Sequence, residues 1–156
     1  MIILSKLADY GVIVACEMAA HPDRQMNATA LAESTRLPRA TVAKLLKGLA
    51  HAGIVIGARG ASGGYRLARG SAAISVAEVV AAIDGAIGIT QCTTHPAAMR
   101  AVTCERTHFC PTRPHWQRIN SAVSTALGAV TLADMVAERL ALALPAKLGT
   151  GETLTP

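Results

Sequence analysis

A chain of 156 residues that is 51% hydrophobic but only 3% aromatic suits one compact domain, or a small domain with an appended arm, packed through Ala, Leu, Val and Ile side chains. The apolar run from Val12 to Ala20 is interrupted by Glu17 and too short to span a bilayer, and no basic-then-apolar signal segment precedes it, so a membrane protein is excluded and a cytoplasmic location expected. The formal net charge of +5 points to a polyanionic partner.

Residues 5 to 21 read as a first helix, with Ser5 as N-cap and Tyr10, Val14 and Met18 recurring at spacing four. Cys16 falls among apolar neighbours and reads as a small buried hydrophobe. His21-Pro22-Asp23 breaks that helix, since proline restricts the residue before it. Asn27 caps a second helix, Ala28 to Thr35, with Leu31 and Ala32 inward. After the turn Arg36-Leu37-Pro38, a third helix runs from Arg39 to Ala52, with Pro38 placed for its first turn and Gly53 as a left-handed cap. Val42, Leu45, Leu46 and Leu49 form one apolar stripe, and Arg39, Ala40, Thr41, Lys44 and Lys47 lie opposite it.

The period then changes. Ile54-Val55-Ile56 is short and β-branched, Arg59-Gly60-Ala61-Ser62-Gly63-Gly64 is a turn, and Tyr65-Arg66-Leu67 returns as a strand. Three helices followed by a glycine-tipped hairpin make a winged helix-turn-helix, whose third helix enters a major groove while the hairpin tip meets the flanking backbone or minor groove. The charge agrees: from Ser34 to Ala77 there are seven Lys/Arg and no Asp or Glu. Thr41 and Lys44 are expected near base edges, Arg39 and Lys47 on phosphates, and Arg59, beside Gly60, at the wing.

Ser75 to Glu78 is a capping box for a helix reaching about Asp84. A loop over 85–113 follows, carrying Cys92, Cys104 and Cys110 with His95 and His108 among them. Thiols gathered on a loop oxidise if left idle, and they make sense closed on a soft metal centre, either zinc or an iron–sulfur cluster. A long helix starts near Pro114, with Trp116, Ile119, Val123, Ala126 and Val130 spaced as a helix–helix seam. Thr131 caps a last helix from Leu132 to about Leu144. The expected fold is therefore mainly α with a small β-hairpin wing: a winged helix-turn-helix DNA-binding domain (1–84), a cysteine-rich loop (85–113), dimerisation helices (114–144) and a disordered tail (145–156). The seam implies a homodimer, and two-fold symmetry implies a double-stranded DNA operator with two half-sites.

Five pieces together resemble the iron–sulfur regulators of the IscR and NsrR type, most closely the branch controlling the SUF cluster-assembly system. They are Ser5-Lys6 to Tyr10, the helix-turn-helix, the wing Arg59 to Tyr65, the three cysteines with Trp116 six residues after Cys110, and Val130-Thr131-Leu132-Ala133-Asp134. The resemblance implies a homodimeric transcription factor whose cluster is held by Cys92, Cys104 and Cys110, with a variable fourth ligand. Where IscR-like members place a histidine, three after the last cysteine, this chain has Arg113, and a guanidinium cannot ligate iron. Asp9 matches the aspartate that NsrR-like members supply from the partner protomer; His115, His108 and Glu105 are the other candidates. Eleven residues separate Cys92 from Cys104, a longer gap than usual in these proteins. Two rivals keep DNA binding but drop the cluster: a closed zinc site built with His108 or His115, and a thiol switch between Cys104 and Cys110. An enzyme is not expected, because no nucleophile–base or paired-carboxylate arrangement appears.

Overall fold

The computed structural model describes residues 4–58, 63–90, 93 and 109–143. Of the residues singled out above, Arg59, Gly60, Cys92, His95, Cys104, Glu105 and His108 lie outside that range, as does the tail.

Helix α1 (Lys6–Ala19) starts where Ser5 Oγ accepts the Ala8 N–H at 3.0 Å, and the same hydroxyl donates to Asp84 Oδ1 at 2.7 Å. One side chain thus caps α1 and ties it to the far end of α4 (Val76–Asp84). A Cβ on Gly11, midway along α1, would stand 2.9 Å from Ile83 Cγ1, so the bare backbone lets α4 come close. Asn27 caps α2 (Ala28–Thr35) through the Ala30 N–H at 2.8 Å. The helix ends in a left-handed residue that is not glycine, Arg36 with φ 56°. Pro38 stands one position outside α3 (Arg39–His51), where its carbonyl accepts the Val42 N–H at 3.0 Å, rather than within the first turn. Gly53, with φ 70°, closes α3 as expected.

Strand β1 (Val55–Ala58) pairs antiparallel with β2 (Gly64–Leu67), Ala58 opposite Gly64. Gly64 therefore belongs to the strand and not to the turn. Its reason lies on the other edge. Tyr65 exchanges two backbone hydrogen bonds with Met26, at 2.9 and 3.0 Å, and a Cβ on Gly64 would sit 3.0 to 3.2 Å from the Met26 backbone. The wing is stitched to the segment leading into α2.

A single 3₁₀ turn (Ser71–Ala73) precedes α4, which carries the full capping box: Ser75 Oγ accepts the Glu78 N–H, and the Glu78 carboxylate accepts the Ser75 N–H at 2.9 Å. Helix α5 (Arg113–Ala129) begins one residue before Pro114. Helix α6 (Leu132–Ala143) opens with a second reciprocal cap: Thr131 N–H donates to Asp134 Oδ2 at 2.8 Å and Asp134 N–H to Thr131 Oγ1 at 3.2 Å. The two capped starts lie side by side. Val76 N–H donates to Val130 C=O and Leu132 N–H to Ile74 C=O, both at 2.9 Å. Leu132, fully buried, packs in one core with Val14, Leu31, Leu46, Ile54 and Ile74. Helix α6 thus begins in the same core as α1 to α4.

Both capping carboxylates sit below their ordinary pKa values. Glu78 is lowered from 4.5, first by the Ser75 backbone N–H and then by Arg69, whose guanidinium lies 2.7 Å away. Asp134 is lowered from 3.8 by the Thr131 hydroxyl and backbone N–H. A depressed folded-state pKa adds stability above the carboxylate range and loses it as pH falls through that range. The melting temperature is therefore expected to drop as pH is taken from about 5 to about 3, with a shallower slope in Glu78→Gln. The Arg69–Glu78 pair is more than two-fifths exposed on both sides, so solvent screening keeps the difference small.

Candidate nucleic-acid interface and cysteine loop

Helix α3 has two unlike sides. Val42, Leu45, Leu46 and Leu49 are at most 1% exposed, and they fix the rotation of the helix in the core. Arg39, Ala40, Lys44 and Lys47 are left in solvent, and Thr41 is half-buried beside them. The four residues of one apolar stripe thus present every expected reading residue of this helix on a common outer face. Pro38 gives no side-chain cap, so the first N–H groups of α3 add partial positive charge to that face. Arg66, exposed on β2 opposite Ile56, extends the same sign onto the wing. Arg69 does not: it is committed to Glu78 and to the Ala73 carbonyl at 2.9 Å. Its charge in the basic block of the sequence is thus paired within the fold, which only its three-dimensional partners reveal.

The cysteine loop is described at its two ends. At the far end Cys110 is half-buried, with its sulfur 3.2 Å from Thr112 Oγ1, immediately ahead of α5. Arg113 takes the first position of α5 and His115 its first turn, exposed. Phe109, before the cysteine, is 92% exposed. At the near end, Asn120 of α5 reaches back to the loop: its Nδ2 donates to Ile87 C=O at 3.1 Å and its Oδ1 accepts the Ile89 N–H at 3.0 Å. Nothing in the sequence marked Asn120, because one amide between apolar seam positions carries no periodic signal.

Asp9 is exposed on α1 and lines an open groove of about 390 Å³ with Ile13, Cys16, Glu17 and Met135. Among the described residues, no three His, Cys, Asp or Glu side chains converge as a metal site within one protomer. Helix α5 buries none of its residues; Trp116 and Ile119 are 38% and 44% exposed. Its apolar positions are thus left largely in solvent along a 17-residue helix.

A family model described as Rrf2, iron-dependent transcriptional regulator, matches residues 4–138. The transcriptional regulator IscR of Vibrio cholerae is 29% identical over 136 residues, 85% of this chain and 74% of that protein. Among solved structures, IscR of T. potens superposes with a TM-score of 0.66 at 25% identity, covering 96% of this chain and 94% of its own. CymR, the global cysteine regulator of B. subtilis, gives 0.68 at 25% identity, over 88% of this chain and 98% of its own.

Proposed function

We infer, from the premise that the chain belongs to the Rrf2 family of transcriptional regulators, that this DNA-binding regulator senses the supply of iron–sulfur clusters. Members of the family are regulators and not enzymes, and the winged helix-turn-helix is its DNA-binding module. In our reading it acts as a homodimer on an operator with two half-sites. Arg39, Ala40, Thr41, Lys44 and Lys47 of α3 meet the major groove, and Arg59 and Gly60 of the wing meet the flanking duplex. Cys92, Cys104 and Cys110 hold a [2Fe-2S] or [4Fe-4S] cluster, with Asp9 of the partner protomer or His115 completing the site. The combined resemblance to the SUF branch makes iron–sulfur assembly genes its targets.

The observation that carries this reading is Cys110 immediately ahead of α5: the loop with three thiols runs into the helix on which Trp116 and Ile119 are exposed. The donor set fits the group. Three soft thiolates with one hard or borderline ligand suit an iron–sulfur centre, which supplies a reversible, oxidisable cross-link when bound. The chain's own residues do the rest. Cys110 ties the loop to α5, the Val130 carbonyl ties the end of α5 to Val76, and α4 packs on α1 through Ile83 and Gly11. A change in loop closure is thereby passed to the domain that carries α3.

Anaerobic isolation with iron and sulfide counted per dimer tests it. Iron and sulfide near stoichiometry, with visible absorption that bleaches in air, is the expected outcome. Colourless protein holding zinc would establish the closed metal site instead. Metal-free protein whose operator binding changes on thiol oxidation would establish the thiol switch. For the DNA face, Lys44→Ala and Lys47→Ala are each expected to weaken operator binding. A phosphate-contacting lysine also lowers the slope of log affinity against log salt by about 1, whereas a base-reading one changes discrimination between operator variants.

A further inference from the structure

We propose that Ile83 is a positioning residue for DNA recognition: seated in a notch between two glycines, it sets the stance of α3 against α1 and α4. The proposal rests on the reading of α3 as the helix that meets the major groove. Ile83 lies on the last turn of α4 and is half-buried. A Cβ on Gly11 of α1 would stand 2.9 Å from Ile83 Cγ1, and a Cβ on Gly48 of α3 would stand 3.3 Å from Ile83 Cδ1. One side chain therefore lies against two helices at once, and at both contacts the missing Cβ makes room for it. Gly48 also admits the α4 backbone, since its Cβ would lie 3.5 Å from the Ala82 carbonyl oxygen. Neither glycine has a positive φ, so conformational freedom is not what these positions require. Glycine inside a helix is unfavourable relative to alanine, and what it supplies here is closeness.

The wedge is stiff. Isoleucine in a helix has one strongly preferred χ1, so it does not swing out of the notch cheaply. Both ends of its helix are held: the Ser5 hydroxyl donates to Asp84 at 2.7 Å, and Val76 N–H donates to the Val130 carbonyl at 2.9 Å. On the other side, Thr41, Lys44 and Gly48 follow one another at helical spacing along one flank of α3. A displacement at Gly48 is therefore carried along a rigid helix to the side chains expected at base edges. Hydrogen bonds to bases weaken steeply with misalignment, whereas attraction to phosphates is independent of sequence. Ile83 thus governs discrimination between duplexes and leaves the general attraction to DNA alone.

The test measures affinity for two duplexes, an operator selected by the wild-type protein from a random pool and a scrambled sequence of equal length, together with the melting temperature. In Gly48→Ala the new methyl makes Ile83 or α3 give way by a few tenths of an ångström. The operator-to-scrambled affinity ratio is expected to fall about 2- to 30-fold, the span of mutations along a coupled network, while the scrambled duplex binds as before. The melting temperature should hold or rise, since alanine is the better helix former. Ile83→Val removes the Cδ1 that faces Gly48. Alone it leaves a gap of one methyl and should lower the ratio about 2-fold, an independent reading should Gly48→Ala fail to fold. Combined with Gly48→Ala it makes room for the added carbon, and the ratio should return towards wild type. A wild-type ratio in both single variants would overturn the proposal, as would a loss in Gly48→Ala that Ile83→Val does not restore. An equal loss on both duplexes would also overturn it, because that is the mark of an unstable fold alone. If Lys44→Ala and Lys47→Ala both leave operator binding unchanged, the groove reading of α3 fails first and the proposal falls with it.

Discussion

Cys110→Ala prepared without air is expected to lose stoichiometric iron and sulfide, and to bind its operator with an affinity about 5- to 150-fold different from wild type, the range that allosteric coupling of 1–3 kcal/mol spans. The same is expected of Cys92→Ala and Cys104→Ala. The variant should nevertheless fold. Cys110 is half-buried and belongs to neither hydrophobic cluster, so its removal opens no core cavity. A fold retained with the response abolished separates sensing from binding, and operator titration of wild type with and without its metal gives the reference values. Matching affinities in all three variants and in both wild-type forms would leave a plain DNA binder.

Gly64→Val should detach the wing. Its Cβ would be forced to within 3.0 to 3.2 Å of the N, C and O atoms of Met26, which are backbone and cannot rotate away. Either the Tyr65–Met26 pair of hydrogen bonds opens or β2 slides against β1. Overpacking of this kind costs about 1–3 kcal/mol, and losing two backbone hydrogen bonds adds about 1 kcal/mol each. Thermal denaturation measures the first effect. Operator binding measures the second, because Arg66 and the wing tip hang from this strand, and α3 should keep its residual affinity. Gly57→Val is the control: its Cβ would meet only the Tyr65 ring at 3.4 Å, an ordinary contact.

These two sites differ in how far the sequence announced them. The helical scaffold was legible because its signals are local: Ser5, Asn27 and Ser75 cap within three residues of themselves, and Val42 to Leu49 repeat at the helical period. The fold of a winged regulator followed from those and from the hairpin. Gly64 was read as a turn residue because glycine beside glycine looks like a tip; its real constraint comes from Met26, 38 residues earlier, which no local pattern carries. Arg36 shows the reverse case, a left-handed position held by a bulky residue where glycine would have been the signal. Arg69 was counted in the basic block for its charge alone and is paired with Glu78 in the fold. The outer face of α3 was deduced from the stripe it opposes, and the structure leaves those side chains in solvent. Asn120 and the Val130–Val76 link were invisible for one reason: each joins segments far apart in the chain by one or two hydrogen bonds that leave no local pattern.

That link has a consequence for anyone splicing such regulators. Val130, the residue that follows α5, is clamped to the start of α4, and Asn120 sits ten residues earlier on that unbroken helix. One residue inserted between them would swing the sensory end by about 100° around the helix axis, whereas seven, close to two full turns, would nearly restore the bearing. A chimaera that borrows another sensor loop must therefore conserve the angular phase of this shaft as well as its length.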